Sequence, residues 1–435
     1  MSHTGGSRPS VAIIGAGWSG LACALRLARA GFQPVVFESA PEPGGRARRA
    51  KLDDTFRDNG QHLMLAGCLS LDKLLGEIGV TLPRSPFSYT DGAHTFSLAG
   101  QRGRSGMINA LLGMRGYSWA ERARMVAALA MMRLQGWTAP EALTVADWLE
   151  QQKQSTALIE NFWEPLALAI LNTPVAQASM CRLMPVLRDT LGVDCEALEI
   201  LQPSTNLSDS VVLPLVRAIE AAGGQIHCGQ RVTAVVQNSD GGYAIAIKDA
   251  ADLNVFDNVI LTLPPWALPH LKLPFSTMAL AERFGAQPIA TVYLGFDPHV
   301  QLPTPLVQLA GPTENDARTW AMDRAHCGDP GVVTISLSAA GPWTALDHAT
   351  LIERCIENLR AAINLNAPCH WHRVISVASA TPSASPTAWL KPGELRPLPG
   401  LYLSGDWTHP HYPATLEAAV DTGFTTAADV MAAHR

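Results

Sequence analysis

Charged side chains are scarce in this sequence. Asp, Glu, Lys and Arg make up 16% of its 435 residues, against about 25% in an average soluble protein. The formal net charge is −6 and no block of basic residues is present, so nucleic-acid binding is not expected. Hydrophobic residues make up 47%, which excludes a disordered chain and predicts a globular protein of two or three domains. The low charge also favours an apolar partner.

Closely spaced cysteines, long apolar runs and an export signal are also missing. The eight cysteines are at least 14 residues apart, so the sequence contains neither a CxxC redox pair nor a zinc knuckle, and no metal is expected. No 18 consecutive residues are apolar, so any membrane contact would be peripheral. Residues 1–10 are polar and lack the basic and apolar parts of an export signal, which favours a cytoplasmic location.

The first forty residues contain the pattern of a strand, a tight turn and a helix. The turn residues are Gly15, Ala16, Gly17, Trp18, Ser19 and Gly20. Gly15 makes the turn, Gly17 lets the backbone approach a pyrophosphate, and Gly20 permits close helix packing. The helix N-terminus offers free N–H groups to the phosphates. Glu38 ends a second strand, 23 residues after Gly15, where it can accept a hydrogen bond from a ribose hydroxyl. The pattern predicts a dinucleotide site, and the Glu38 carboxylate disfavours NADP because it would repel a 2′-phosphate.

A second glycine motif favours FAD over NAD. Gly44, Gly45 and Arg46 follow Glu38 by a few residues. The two glycines let the backbone pass close to the cofactor, and the Arg46 guanidinium can pair with two pyrophosphate oxygens. An NAD dehydrogenase has no need of this element. The alternative interpretation is a surface turn with stray arginines.

The C-terminal region contains another candidate cofactor contact. A short strand ends at Gly405 and Asp406, and a helix opens near Thr415 and Leu416. We expect Asp406 to bind the ribityl or phosphate part of FAD. The helix N-terminus would place positive potential near the flavin N1–C2=O edge. An ordinary strand-to-helix turn with a capping Asp is the alternative.

Between these motifs the pattern predicts an inserted substrate domain. Residues from about 65 to 205 have helical patterns, and residues from about 266 to 390 mix strands, such as 290–296 and 332–338, with a helix at 350–363. Residues 223–235 are predicted to form a strand, a turn and another strand. Together with strands at 243–247 and 257–265 they would return the chain to the nucleotide domain, with Val232 as a further cofactor contact. The expected parts are FAD-binding at 1–64, 206–265 and 391–435, a helical substrate or membrane-facing part at 65–205, and a substrate domain at 266–390.

Together these motifs resemble the superfamily of FAD-dependent amine oxidases and phytoene desaturases. Within it, segments 58–62 (Asp-Asn-Gly-Gln-His), 161–166, 171–174 and 405–408 are similar to the squalene-associated branch, the hydroxysqualene dehydroxylases. The sequence departs from its relatives at Glu417-Ala418-Ala419, where Glu-Gly-Ala is usual. The resemblance implies an α/β fold: a Rossmann-type, glutathione-reductase-like FAD domain with an inserted, amine-oxidase-like domain of sheet and helices. It also implies non-covalent FAD, with Gly60 and Gln61 near it, and reductive removal of the hydroxyl of hydroxysqualene to give squalene.

Candidate catalytic groups follow from the chemistry of an allylic alcohol. Loss of water leaves a delocalised cation that reduced flavin can quench with a hydride, and an acid or hydrogen-bond donor must help the hydroxyl leave. His62 is the best-placed candidate, with Asp58 beside it and His411 nearer the C-terminus. A structural role is the alternative for each. Trp163, Asn172 and Tyr412 could line the pocket for a thirty-carbon chain, although packing is the simpler interpretation for a tryptophan.

Residues 107–137 combine apolar side chains with arginines, including Arg115, Arg124 and Arg133. This amphipathic stretch could contact an anionic membrane, or could face the protein core like most amphipathic helices. Three other functions stay open. An amine oxidase usually has a lysine near the flavin, and none of the six lysines here falls in a flavin-facing motif. A carotenoid desaturase also handles apolar polyenes. A non-enzymatic isoprenoid-binding protein is the third possibility. The electron donor is not identified.

Overall fold

The computed structural model describes residues 9–251 and 253–435, so most of the polar segment 1–10 lies outside the described residues. The strands are β1 (Ser10–Ile14), β2 (Gln33–Phe37), β3 (Arg49–Leu52), β4 (Thr55–Asp58), β5 (Met64–Leu65), β6 (Arg84–Ser85), β7 (Ser88–Thr90), β8 (Thr95–Ser97), β9 (Ile200–Leu201), β10 (Gln225–His227), β11 (Val232–Gln237), β12 (Tyr243–Ile247), β13 (Asn254–Phe256), β14 (Asn258–Leu261), β15 (Gln287–Gly295), β16 (Leu306–Leu309), β17 (Thr319–Asp323), β18 (Val332–Ser338), β19 (Trp371–Thr381) and β20 (Leu401–Leu403). The helices are α1 (Trp18–Arg29), α2 (Leu69–Glu77), α3 (Gly103–Leu112), α4 (Trp119–Leu134), α5 (Val145–Gln151), α6 (Thr156–Leu158), α7 (Glu164–Leu171), α8 (Met180–Thr190), α9 (Leu213–Ala221), α10 (Met278–Phe284), α11 (His348–Ile363) and α12 (Leu416–Ala433).

The N-terminal strand lies at the centre of a five-stranded sheet with the order β10-β2-β1-β14-β20. All of its pairings are parallel. Alternate side chains of β1 and its neighbours face α1, α9 and α12 on one side and the three-stranded sheet β11-β12-β13 on the other. Because both faces are covered, β1 and β14 are almost continuously apolar. This arrangement confirms the expected α/β fold class.

Helices α1 and α12 cross closely on this sheet. A side chain at Gly423 would overlap the backbone oxygen of Ser19, so the two helix backbones touch at this point. The Ser19 hydroxyl lies 2.8 Å from that of Ser404, which is 3.0 Å from that of Thr426. This buried chain of hydroxyls joins the N-terminal and C-terminal cofactor motifs.

The second large sheet has seven strands in the order β19-β15-β18-β17-β16-β7-β8. One of its faces packs on α11 through an apolar cluster. Strand β18 and helix α11 match the sequence predictions closely. However, β7 and β8 come from the range 65–205 that was expected to be helical, and β7 pairs with β16 in parallel. A pairing between segments that are distant in the chain leaves no trace in local periodicity.

The remaining part of 65–205 is largely helical. Its core contains the buried tryptophans Trp148 and Trp163 among side chains of α3, α4, α5 and α8. No helix in the described ranges has both the length and the apolarity needed to cross a bilayer.

Candidate active site

The glycine turn after β1 has the geometry that a phosphate site requires. Gly15 has φ +111°, and its N–H donates to the backbone oxygen of Phe37 at 2.8 Å. A side chain on Gly20 would overlap the Gly15 carbonyl, whereas a Cβ on Gly17 would meet no atom within 4 Å. Gly20 is therefore needed for packing, and Gly17 faces open space at the N-terminus of α1, where Trp18 begins the helix.

Glu38 and the second glycine motif surround this turn. The Glu38 carboxylate accepts from the backbone N–H groups of Ala16 at 2.9 Å and Ala40 at 2.8 Å. Gly44 donates its N–H to the Ala16 oxygen at 2.8 Å. Gly45 has φ +59°, and a Cβ there would lie 2.9 Å from the Gly17 Cα. The two glycine motifs thus pack directly against each other.

The segment before Val232 contacts Glu38, and the Arg46 side chain contacts residues from the C-terminal part of the chain. Val232 is the first residue of β11. Shortly before it, Gln230 donates its backbone N–H to the backbone oxygen of Glu38 at 2.8 Å. Arg46 Nη1 donates to the Ala380 oxygen at 3.0 Å, and its Nη2 pairs with the carboxylate of Asp406. Sequence reasoning expected Arg46 and Asp406 to contact the cofactor separately, but the structure joins them in one ion pair.

The C-terminal motif brings a helix N-terminus to the same place. Gly405 has φ +148°, and Asp406 follows it, 6% exposed. The Thr415 hydroxyl caps α12 by accepting from the Ala418 N–H at 3.1 Å, and Leu416 is the first residue of the helix. Free N–H groups in the first turn of α12 provide the positive potential expected there.

The side chain of His62, shortly after the end of β4, lies within the influence of the Arg46 charge. The Nε2 atom of His62 is buried and has no hydrogen-bond partner among the described residues. Burial lowers the pKa of His62 and the Arg46 charge acts in the same direction, while the Asp58 charge opposes both. A Cβ on Gly60 would lie 3.9 Å from His62 Nε2. A buried imidazole nitrogen without a partner indicates that a ligand completes its hydrogen bonding.

Asp58 has structural partners. Its carboxylate accepts from the Leu207 N–H at 2.7 Å and lies 3.3 Å from both terminal nitrogens of Arg324. Its backbone oxygen accepts from the Tyr293 hydroxyl at 2.6 Å. Asp58 is 4% exposed. It holds β4 against the seven-stranded sheet, and these contacts favour a structural role for Asp58.

Gln61 belongs to the same network. Its Oε1 atom accepts from the Thr334 hydroxyl at 3.0 Å and from Arg324 Nη1 at 3.3 Å. The sequence analysis did not single out Arg324, Thr334 or Tyr293. A buried arginine has no local signature when its carboxylate partner lies 266 residues away.

His411 and Tyr412, the site residues expected near the C-terminus, differ from each other in their surroundings. His411 is exposed. His409, beside it, accepts from the N–H groups of His411 and Tyr412 at 3.0 and 2.8 Å. The Tyr412 hydroxyl donates to the Asp189 carboxylate. The side chain of Tyr412 is therefore anchored to α8, and His411 is exposed.

Trp163 and Asn172 also have structural partners. Trp163 is 1% exposed, and its Nε1 donates to Gln154 at 2.9 Å. Asn172 donates to the Thr381 hydroxyl at 2.8 Å and accepts from the Ala339 N–H at 2.6 Å. These contacts favour packing for Trp163. Asn172 joins the helical part to the seven-stranded sheet.

A cavity of about 170 Å³ lies between α7 and this sheet, with Glu164, Trp320, Ser336 and Ala339 in its wall. Burial raises the pKa of Glu164, and the charge of Glu160 acts in the same direction. One wall residue, Ala339, donates its N–H to Asn172, and Asn172 donates to Thr381, which follows Ala380, the acceptor of Arg46 Nη1. Glu164 lies within segment 161–166, but its titration could not be inferred from the sequence.

The open space at Gly17, the Glu38 carboxylate, the Arg46 cation and the unpartnered His62 nitrogen fit a flavin dinucleotide, which places this chain among the FAD-dependent oxidoreductases. It belongs to the flavin containing amine oxidoreductases, whose family model matches residues 18–431. The expected superfamily and the FAD cofactor are therefore confirmed.

Individual relatives agree with this placement. The chain is 28% identical to a hydroxysqualene dehydroxylase of Rhodopseudomonas palustris, covering 98% of this chain and 99% of the relative. It is 23% identical to a 15-cis-phytoene desaturase of Solanum lycopersicum, covering 95% of this chain and 76% of the relative. A solved structure of putrescine oxidase bound to putrescine superposes with a TM-score of 0.75 at 16% identity, covering 98% of this chain and 99% of that one. This last similarity supports the fold.

Proposed function

We propose that this protein is a hydroxysqualene dehydroxylase that converts hydroxysqualene to squalene. The observation that carries the proposal is the end-to-end match with the Rhodopseudomonas palustris dehydroxylase, which leaves almost no unmatched length in either chain. The match with the phytoene desaturase leaves about a quarter of that protein uncovered. The scarcity of charge in the sequence agrees with an apolar isoprenoid substrate.

The reaction breaks the allylic C–O bond of hydroxysqualene and forms a new C–H bond on the same carbon skeleton. Reduced, non-covalently bound FAD supplies the hydride for the new bond. The leaving hydroxyl departs as water and therefore needs one proton. The task of this chain's own residues is to hold the polyene, exclude bulk water and deliver that proton.

Two titratable side chains can deliver the proton, and burial moves their pKa values in opposite directions. The pKa of His62 is lowered, so at neutral pH its imidazole is largely neutral. The pKa of Glu164 is raised, so its carboxyl group keeps its proton to higher pH than an ordinary glutamate. We assign proton delivery to Glu164 and a hydrogen-bonding role toward bound ligands to His62 Nε2.

The cavity beside Glu164 indicates which part of the substrate it can hold. Its volume of about 170 Å³ is below the roughly 300 Å³ that ligand pockets usually reach. A cavity of this size can hold only a small part of a thirty-carbon chain, and we propose that this is the hydroxyl-bearing part.

An anaerobic single-turnover experiment tests the function. The purified flavoprotein is reduced, mixed with hydroxysqualene in detergent, and followed near 450 nm while the lipid is extracted. The expected result is flavin reoxidation with one squalene formed per flavin. Reduced flavin that persists in the presence of hydroxysqualene, together with bleaching of the oxidised enzyme by a polyene or an amine, would transfer the assignment to a desaturase or an amine oxidase. A colourless protein that cannot take up FAD would support the lipid-binding alternative.

A further inference from the structure

The segment of residues 101–137 has a charge opposite to that of the rest of the chain. It contains one acidic residue, Glu121, and six arginines, so its net charge is +5 in a protein of net charge −6. The arginines are Arg102, Arg104, Arg115, Arg122, Arg124 and Arg133. Arg115, Arg124 and Arg133 are exposed and form no ion pair within the described part of the chain. Local positive charge of this kind attracts anionic surfaces.

Helix α4, within this segment, presents apolar side chains to solvent. Trp119 is 71% exposed, Leu134 81% and Met131 39%. Ala123 and Ala127 continue the row and are exposed as well. At about 100° per residue, these five side chains lie within about 60° of the direction of Leu134. They form one stripe, which we call the outer stripe of α4.

The opposite side of the same helix packs in the protein interior. Met125 and Met132 have no measurable exposure, and Ala128 is 2% exposed. Helix α4 therefore has two apolar faces. One packs in the protein core, and the other, the outer stripe, is exposed to solvent. Leu129 packs against that core, so the outer stripe is tested better at Met131 and Leu134.

Arginines border the outer stripe on both sides. Arg124 lies about 80° from Leu134 in one direction around the helix, and Arg133 about 100° in the other. Arg122 is used differently, because its guanidinium donates to the backbone oxygens of Tyr117 and Leu112 and so joins α4 to α3. The single acidic group, Glu121, is occupied by the Ser118 cap at the start of α4.

We propose that the outer stripe of α4 and its bordering arginines dock this protein on a membrane that contains anionic lipids. An apolar stripe flanked by cations matches the boundary between acyl chains and headgroup phosphates, where tryptophan is also favoured. Neighbouring α3 also has an exposed apolar side chain, Ile108, at 49% exposure. A second copy of this chain is disfavoured as the occupant because two faces of net charge +5 would repel each other.

Vesicle co-sedimentation of the FAD-loaded protein tests the docking. The vesicles are phosphatidylcholine alone or with about 30% phosphatidylglycerol, and they contain no isoprenoid substrate, so the result does not depend on the proposed reaction. Wild-type protein is expected to bind the anionic vesicles. The variant Met131→Glu/Leu134→Glu should lose at least about tenfold in binding, and Arg124→Gln/Arg133→Gln should lose the preference for anionic lipid. The matched control is Val236→Glu/Val255→Glu, which places charge on side chains 48% and 59% exposed on the three-stranded sheet.

An unchanged flavin spectrum and melting temperature would show that each variant is folded. Wild-type protein that stays in the supernatant with anionic vesicles overturns the proposal. Equal loss in the Val236 and Val255 control also overturns it. Concentration-dependent dimers that disappear in Met131→Glu/Leu134→Glu, with vesicle binding unaffected, would assign the stripe to a second copy instead.

Discussion

Arg46 and Asp406 are 360 positions apart in the chain, yet Arg46 Nη2 lies 2.7 and 2.6 Å from the two carboxylate oxygens of Asp406. The pair connects the second glycine motif with the loop before α12. Asp406 is buried, and the Arg46 side chain is about one-third exposed, so the guanidinium is held by Asp406 while part of it stays accessible. The pair therefore fixes the orientation of the guanidinium that we propose as a contact of the cofactor phosphates.

This geometry predicts that the two side chains act as one unit in FAD binding. Arg46→Gln and Asp406→Asn should each weaken FAD affinity at least about tenfold. The double variant should bind FAD almost as well as the single variant with the lower affinity. Titration of the apoproteins with FAD, followed by flavin fluorescence, gives the coupling energy, expected at about 1.4 kcal/mol or more. Additive losses would mean that each residue contacts FAD independently.

The glycine turn predicts that two neighbouring alanine substitutions have different effects. Gly17→Ala should leave the melting temperature of the apoprotein unchanged, because the new methyl group meets no protein atom within 4 Å, but FAD affinity should fall because the methyl occupies space open to the pyrophosphate. Gly20→Ala should destabilise the apoprotein by about 1–3 kcal/mol through overpacking against the Gly15 carbonyl. Thermal denaturation and FAD titration of both variants separate the two effects, and equal behaviour would contradict them.

The opposite pKa shifts of His62 and Glu164 predict a pH dependence for the dehydroxylation rate. A proton donor is active below its pKa, so with Glu164 as donor the single-turnover rate should be high at low pH and fall as pH rises through a pKa above the ordinary value of 4.5. Glu164→Gln should remove this pH-dependent part and lower the rate by about 10²- to 10⁴-fold.

The matched variant for this experiment is His62→Gln. It should keep the same pH profile at a reduced rate. If His62 were the proton donor, the decrease in rate with rising pH would instead disappear in His62→Gln. In the wild-type enzyme this decrease would then occur below pH 6.5, since the pKa of this imidazole is lowered from that value. Measurements between pH 4.5 and 8.5 on the reduced enzyme cover both cases.

The buried pair of Asp58 and Arg324 predicts a strong dependence of stability on both partners. The Arg324 side chain is 2% exposed and that of Asp58 6%. Removing Arg324 leaves the buried Asp58 carboxylate without its cation, and removing Asp58 leaves Arg324 with only the Asp329 carboxylate, 3.5 Å from its Nε. Arg324→Met or Asp58→Asn alone should reduce the free energy of unfolding by about 3–5 kcal/mol, and the double variant should recover much of this loss. Urea unfolding of the three variants provides the comparison. A double variant as unstable as the sum of the single variants would show that the two side chains do not compensate each other.

Local sequence patterns were sufficient for the elements with short-range causes. The turn from Gly15 to Gly20 and the strand Val332–Ser338 could be predicted because glycine spacing and β-branched runs act over a few residues. The family and its flavin followed from the same motifs. The partners of Asp58 and Asn172 could not be predicted, because they come from strands brought together only by the complete fold. The raised pKa of Glu164 could not be predicted for a related reason. Its burial results from the packing of α7 on a sheet whose strands come mostly from later in the sequence.

The ion pair between Arg46 and Asp406 also has a consequence for biosynthesis. A ribosome makes Arg46 360 residues before Asp406, and β20 and α12 lie on either side of Asp406 in the chain. The parallel sheet gains its edge strand at the same late moment, because β20 pairs with β14. Cofactor capture by the finished site therefore waits until β20 and α12 have been made, and a nascent chain stalled before β20 lacks the Asp406 partner of Arg46.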